Sequence, residues 1–289
     1  MTTLSPAQVE AFRRDGTIAV EDAVTPQQLA ALRREFDAWW EESRAHERNY
    51  GEMIDGRPRF DLQIPGHSRA HPLLRRVNSP TEISEAYLDV VANSRIPDMV
   101  ADLVGPNVKF HHSKINAKLP GANTEVKWHQ DFPFTPHSND DLVTALLAMD
   151  DVDETNGPLV SALGSHKDGI AEIWHDGKFT GIAGDAAARA WERDAKTFTM
   201  KAGSVCLMHT KVGHSSGPNR GTRPRRLFIA VYSAEDAIPL SLNPLPSKHE
   251  GLIVRGEKTG RVRSIPFEMK LPQRPSTGSF FNQQVGYDG

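Results

Sequence analysis

The stretch Val108-Lys109-Phe110-His111-His112-Ser113-Lys114-Ile115-Asn116-Ala117-Lys118-Leu119 divides the chain into two textures. Read as a strand, it places His112, Lys114 and Asn116 on one face and His111, Ser113 and Ile115 on the other, because successive side chains of extended backbone alternate. Behind it the chain breaks into short extended segments punctuated by Gly, Pro and Asn. Candidate strands are Val108–Leu119, Glu125–Gln130, Leu142–Met149, Lys196–Met200, Ser204–His209 and Arg225–Tyr232. Ahead of it the chain reads as helical. Ser5-Pro6-Ala7-Gln8, Thr25-Pro26-Gln27-Gln28 and Ser79-Pro80-Thr81-Glu82 repeat one helix-start grammar: a capping hydroxyl, Pro at the first helical position, and a Gln or Glu able to reach back. Leu29, Leu32, Phe36, Trp39 and Trp40 then share one helical stripe, and Ile83, Ala86, Tyr87, Val90 and Val91 another. A shorter helix from about Pro97 meets a stop at Gly105-Pro106. Many short strands behind a helical preface predict a sandwich or barrel with helices outside it. The expected organisation is a single domain over residues 1–289. A mainly helical preface (1–106) leads into a strand core (107–237) with an insertion at 167–195, and a Pro- and Gly-bearing C-terminal arm or lid (238–289) follows.

Composition excludes several classes. Lys plus Arg is 34 and Asp plus Glu is 37, a net charge of −3, so the chain has neither a basic footprint for nucleic acid nor a polybasic membrane patch. The single cysteine, Cys206, rules out a disulfide framework or a cysteine-based zinc cage, and is expected to be a packing residue. The apolar run Leu142–Met149 is far too short to span a bilayer, and a cytoplasmic protein is expected. The unusual count is histidine, 12 in all, several of them in one region.

The chemistry concentrates in Val126-Lys127-Trp128-His129-Gln130-Asp131-Phe132-Pro133-Phe134. On a strand His129 and Asp131 point to one side. They supply two members of the two-His, one-carboxylate triad that binds Fe(II) and leaves positions open. Spacing alone does not decide, because His166-Lys167-Asp168 repeats it. A third ligand is available from Gly213-His214-Ser215-Ser216-Gly217-Pro218-Asn219, with His209, His111 and His112 as alternatives. Arg225, at the mouth of the next strand, suits the far end of a dicarboxylate through a bidentate guanidinium pair; Arg223 and Arg226 compete, and alternation lets only one of Arg225 and Arg226 point inward.

Together these residues resemble the phytanoyl-CoA dioxygenase family of Fe(II)- and 2-oxoglutarate-dependent oxygenases. The matching pieces are Trp128-His129-Gln130-Asp131, Asn156-Gly157-Pro158-Leu159, Gly164-Ser165-His166 and the block from His214 to Arg225. Leu163 stands where that family usually has Pro. The resemblance runs from about Leu4 to Tyr232 and implies an α+β fold with a double-stranded β-helix (jelly-roll, cupin-like) core. It implies His129, Asp131 and His214 as iron ligands and excludes His166. It assigns Arg225, Ser216 and Asn116 to 2-oxoglutarate. The implied reaction consumes O2 and 2-oxoglutarate, hydroxylates a C–H bond of a small-molecule metabolite, and releases succinate and CO2. A carboxylate at position 131 argues against halogenation. On ligands alone, a zinc- or iron-dependent hydrolase on a similar barrel is the competing reading.

Substrate contacts are expected from the loops Tyr50–His71, Phe132–Asp140 and Lys167–Ala195, with His112, Lys114, Phe132, Arg57 and Arg59 as candidates. No long apolar lid is evident, so a small polar or moderately apolar metabolite is expected rather than a fatty acyl-CoA.

Overall fold

Capping boxes set the first two helices. Ser5 and Thr25 each accept from the backbone of the Gln three residues on, and that Gln reaches back to the cap, so α1 (Pro6–Asp15) and α2 (Pro26–Glu42) begin where the helix-start grammar places them. The computed structural model describes residues 2–273 and 280–284. Between the helices lies β1 (Thr17–Val20), and after them come β2 (Tyr50–Glu52), β3 (Pro58–Leu62), β4 (Leu74–Asn78), α3 (Glu85–Asn93) and α4 (Ile96–Val104). The core follows as β5 (Val108–Lys118), β6 (Val126–His129), β7 (Leu142–Ala148) and β8 (Leu159–Ala162). A hairpin, β9 (Trp174–His175) and β10 (Lys178–Phe179), precedes α5 (Asp185–Arg193). Then come β11 (Ala195–Phe198), β12 (Val205–His209), β13 (His214–Ser216), β14 (Arg225–Ala234), β15 (Ile253–Arg255) and α6 (Phe280–Gln284).

All pairings are antiparallel and build two facing sheets. The large one runs β1-β12-β7-β14-β5-β4-β3-β2, with β15 also on β5; the small one runs β11-β8-β13-β6. This is the expected jelly roll with helices outside. Alternation along the large sheet separates two cores. Leu147, Phe228 and Ile115 face the helices and pack with Phe36, Tyr87 and Met99. Leu146, Ile229 and Cys206 face inward and meet Leu159 and Phe198 of the small sheet. Cys206 is thus a packing residue. Burial of Phe36 and Tyr87 to 2% and 0% exposure removes about 1.5–3 kcal/mol of apolar penalty for each such side chain, which holds α2 and α3 on the sheet.

The preface departs from its helical reading in two respects. It contributes β1 to β4 to the large sheet, so the stretch 50–71 expected as a loop holds two strands. The third helix also starts later than its grammar suggests. Ser79 adopts φ 47° and makes no side-chain cap, Pro80–Glu82 is a single 3-10 turn, and Ser84 caps α3 by accepting from Tyr87 N. Ile83 consequently lies off the buried stripe, at 43% exposure.

Candidate active site

His129 ends β6, and His214 begins β13 directly opposite it in the register of the small sheet. Their rings lie 4.1 Å apart between centroids. Asp131 reaches them by a route that strand alternation did not foresee. The strand stops at His129, and Asp131, with helical φ and ψ, is the N-cap of a 3-10 turn over Phe132–Phe134. Its Oδ1 lies 3.7 Å from His129 Nε2 and 3.8 Å from His214 Nε2. This is the one three-residue cluster of metal-ligating side chains among the described residues, with the donor atoms within 4.8 Å of one another.

The surroundings orient every donor. His129 Nδ1 donates to Lys127 O (2.9 Å) and His214 Nδ1 to Val212 O (3.0 Å), which leaves the Nε2 lone pairs facing Asp131. Thr144 Oγ1 donates to Asp131 Oδ2 at 2.6 Å, leaving Oδ1 for the cluster. Burial pushes both imidazoles toward the neutral form; His214 adds to this at His129, while at His214 the Asp131 carboxylate pulls the other way without outweighing burial. Burial alone would raise the Asp131 carboxyl; His214, Lys114 and His129 outweigh it and hold it down. Neutral imidazoles and an ionised carboxylate are the forms a divalent metal requires. Behind His214, Trp191 of α5 fills the space over Gly213, where a Cβ would lie 2.3 Å from the ring. The insertion therefore buttresses the ligand strand.

Beside the cluster a narrow pocket runs between the sheets, lined by Asn116, Lys118, Ser216, Arg225 and the three cluster residues among others. Arg225 is 2% exposed and has no carboxylate partner among the described residues. Its Nε and Nη2 both donate to Gly157 O, at 3.1 and 2.7 Å. Burial lowers its pKa to about 10. Gly157 sits at φ +81°, and a Cβ there would lie 2.6 Å from Gly217 O, so the Asn156-Gly157-Pro158 motif is a shaped carbonyl platform for Arg225. Lys118 Nζ donates to Ser216 Oγ (2.8 Å), Ser216 O (2.9 Å) and Gly217 O. Burial, then Arg225, push the Lys118 amine down to about 6. The Asn116 amide oxygen is buried and unpartnered. A buried guanidinium without a carboxylate partner among the described residues, beside an amine and a hydroxyl that can donate, forms a cradle for a small anion.

Each sequence candidate can now be placed. His129, Asp131, His214, Asn116, Ser216 and Arg225 converge on this pocket, and Lys114 joins them. Arg226 turns outward to Asp150 and Asp37, and exposed Arg223 pairs with Asp153. His166 donates to Arg13 O and stacks near His209, away from the cluster. A larger cavity of about 570 Å³ opens above the cluster, lined by Arg57, Arg76, His112 and Lys114 among others. Phe132 is not among its walls. The 3-10 turn rotates Phe132 into a small core with Leu142 and Ala237, and presents Phe134 and Thr135 to the cavity instead. Arg59 does not line it either: it donates to Asn78 O and Ser79 O and pairs with Glu82, a structural tie. Arg57 does line it, while paired to Asp55 and donating to Pro244 O. His112 reaches the cavity by alternation with Lys114, and the bulge beside it at His111 sets the two rings together with Nδ1 atoms 2.6 Å apart.

Lys118, Arg76 and Thr144 were not found by sequence reasoning. Extending the face of His112, Lys114 and Asn116 by one more alternate residue reaches Lys118. Arg76 carries no such local signal; it arrives because β4 pairs with β5, opposite Asn116.

A jelly roll closed around a two-histidine, one-carboxylate cluster with an anion cradle at its side places this chain in the class of Fe(II)- and 2-oxoglutarate-dependent dioxygenases. The model of the phytanoyl-CoA dioxygenase (PhyH) family matches residues 12–227, and the chain belongs to that family. Among its relatives is a probable alpha-ketoglutarate-dependent hypophosphite dioxygenase of Stutzerimonas stutzeri, 34% identical over 206 residues, 69% of this chain and 71% of that one. An ectoine dioxygenase of Streptomyces coelicolor is 28% identical over 253 residues, covering 81% and 79%. In fold the chain matches EctD from S. alaskensis, in its structure with 2-oxoglutarate and 5-hydroxyectoine, at a TM-score of 0.66 and 22% identity over 92% and 89% of the two chains. The hydrolase alternative is not favoured by any of these relatives. No helix among the described residues is long and apolar enough to cross a membrane.

Proposed function

We propose that His129, Asp131 and His214 hold Fe(II), that Arg225 with Lys118 and Ser216 receives the distal carboxylate of 2-oxoglutarate, and that the enzyme hydroxylates a small molecule bound in the 570 Å³ cavity. The observation that carries this reading is Arg225: a buried guanidinium with no ion-pair partner among the described residues, adjoining a metal-type cluster. Such a charge is costly unless a ligand neutralises it. When bound, iron and 2-oxoglutarate supply the oxidation, using O2 and releasing succinate and CO2.

The chain's own residues do the rest. The carbonyls of Lys127 and Val212 fix the tautomers of the two histidines, and Thr144 fixes the carboxylate. Gly157 aims Arg225, and Lys118 aims the Ser216 hydroxyl. Asn116 lines the same pocket, where its buried Oδ1 can accept a hydrogen bond. Residues Pro239–Leu245 and Leu271–Gln273 close one side of the cavity, so the C-terminal segment acts as a wall that keeps water from the reacting centre. The relatives are named for substrates from hypophosphite to ectoine and phytanoyl-CoA, which leaves substrate choice to the cavity of this chain.

The test is an anaerobic titration of metal-stripped protein with Fe(II) and then 2-oxoglutarate, followed by the visible metal-to-ligand charge-transfer band. A saturable band, lost in Asp131→Ala and weakened in Arg225→Ala, is expected. Fe(II) binding with no band on adding 2-oxoglutarate overturns the assignment.

A further inference from the structure

The large cavity has a charge imbalance that the cosubstrate does not resolve. Among the described residues Asp131 is the only acidic one on its wall, and the metal-type cluster claims it. Arg57 is already neutralised by Asp55. Arg76 and Lys114 remain. Arg76 is 4% exposed, and its Nε is spent on Asn78 Oδ1, but its Nη1 is buried with no partner among the described residues. Lys114 lines both the cavity and the narrow pocket and has no ion pair with any acid among the described residues. Two cations at the floor of a deep cavity, one with an idle donor, call for an anion.

The rest of the wall has opposite character. Leu240, Leu242 and Leu271 line the same cavity while 48%, 74% and 55% exposed, so large apolar side chains ring its mouth. The volume matters as well. At about 570 Å³ the cavity is in the range that encloses an organic ligand, and an ion as small as hypophosphite would leave most of it empty.

We propose that the substrate is an amphipathic organic anion, its acidic head held by Arg76 and Lys114 beside the metal cluster and its apolar body laid against Leu240, Leu242 and Leu271. This rests on the dioxygenase reading above and names the substrate class that the site selects.

Hexylphosphonate, methylphosphonate and hexanol serve as probes in isothermal titration calorimetry on the full chain loaded with Ni(II) and 2-oxoglutarate, a form that does not turn over. Hexylphosphonate is expected to bind, methylphosphonate at least tenfold more weakly, and hexanol not measurably. Lys114→Met and Arg76→Gln are each expected to weaken hexylphosphonate at least tenfold. Leu242→Ser, at an exposed position that does not threaten folding, is expected to weaken hexylphosphonate but not methylphosphonate, with 2-oxoglutarate binding unchanged. Should buried Arg76→Gln fail to fold, Lys114→Met decides the question of the head. Hexanol binding as well as hexylphosphonate overturns the proposal, as does phosphonate that binds only by displacing 2-oxoglutarate, since the anion then belongs to Arg225. A normal charge-transfer band with no hexylphosphonate binding overturns this inference alone; a missing band overturns the cosubstrate reading beneath it.

Discussion

Gly213→Ala tests whether the insertion helix supports the metal cluster. An alanine methyl at this position would lie 2.3 Å from Trp191 Cδ2 and 2.5 Å from Cε2 and Cε3. Nonbonded carbons settle at about 3.5–4.0 Å, so the ring or the strand must retreat by about 1 Å or more. The φ of Gly213 is not positive, so alanine meets no backbone strain there, and the whole cost is overpacking. That cost is about 1–3 kcal/mol, and it lowers the melting temperature by roughly 2–4 °C for each kcal/mol in a chain of this size. Because His214 is the next residue, the same retreat displaces its Nε2 and weakens metal binding. Trp191→Ala alone leaves a cavity and costs about 3–5 kcal/mol. In that background the added methyl has room, so Gly213→Ala becomes close to neutral. A double-mutant cycle by thermal melting should return a favourable coupling of about 1–3 kcal/mol. Equal costs of Gly213→Ala in the presence and absence of Trp191 would refute the contact, and unchanged Fe(II) affinity in a destabilised single variant would refute its link to the ligand.

The remaining predictions address the ligands and the cosubstrate. Thr144→Val frees Asp131 Oδ2 and should weaken Fe(II) binding by about 10–100-fold in direct titration, with Thr144→Ser retaining affinity. Arg225→Met should weaken 2-oxoglutarate at least tenfold, whereas Arg226→Met, whose guanidinium pairs with Asp150 and Asp37, should lower the melting temperature and leave that affinity alone. Lys118 makes cosubstrate binding pH-dependent. Burial and Arg225 hold its amine at about 6 in the free pocket, below the ordinary lysine value of 10.5, with Glu125 pulling the other way. Between those pH values the folded chain binds fewer protons than the unfolded one, so this group's contribution to stability rises with pH through that window. A bound dianion draws the pKa back up, so 2-oxoglutarate takes up a proton on binding and its affinity falls as pH rises above 6. Calorimetry in buffers of different ionisation enthalpy should detect that proton, and Lys118→Met should abolish it.

Legibility in the sequence followed locality. Six of the eight core strands, β5, β6, β7, β11, β12 and β14, could be read because their residue pattern and turn residues are written within each segment. The metal cluster could be read because its spacing sits inside a family pattern, although Asp131 reaches the site through a 3-10 turn rather than along a strand. That turn is also why Phe132 was expected in the cavity and Phe134 occupies it. The three-residue β13 is too short to carry a period of its own. Arg76 became visible only when β4 paired with β5, a partnership that no local pattern in residues 74–78 announces. Arg59, read as a loop residue, is a buried tie because the loop around it proved to be sheet.

The position of β14 bears on how the chain is made. It lies in the interior of the large sheet, between β7 and β5, and all ten of its residues are buried. Yet it follows both neighbours in sequence, β5 by about a hundred residues. During synthesis β5 and β7 must wait with open edges until residue 234 has left the ribosome, and unpaired edges invite association with other chains. The site is completed late as well, since His214 lies shortly before β14 and Arg225 is its first residue. A chain released before β14 is complete would keep the interior of its large sheet open, which makes the end of the jelly roll a checkpoint between nascent polypeptide and folded protein.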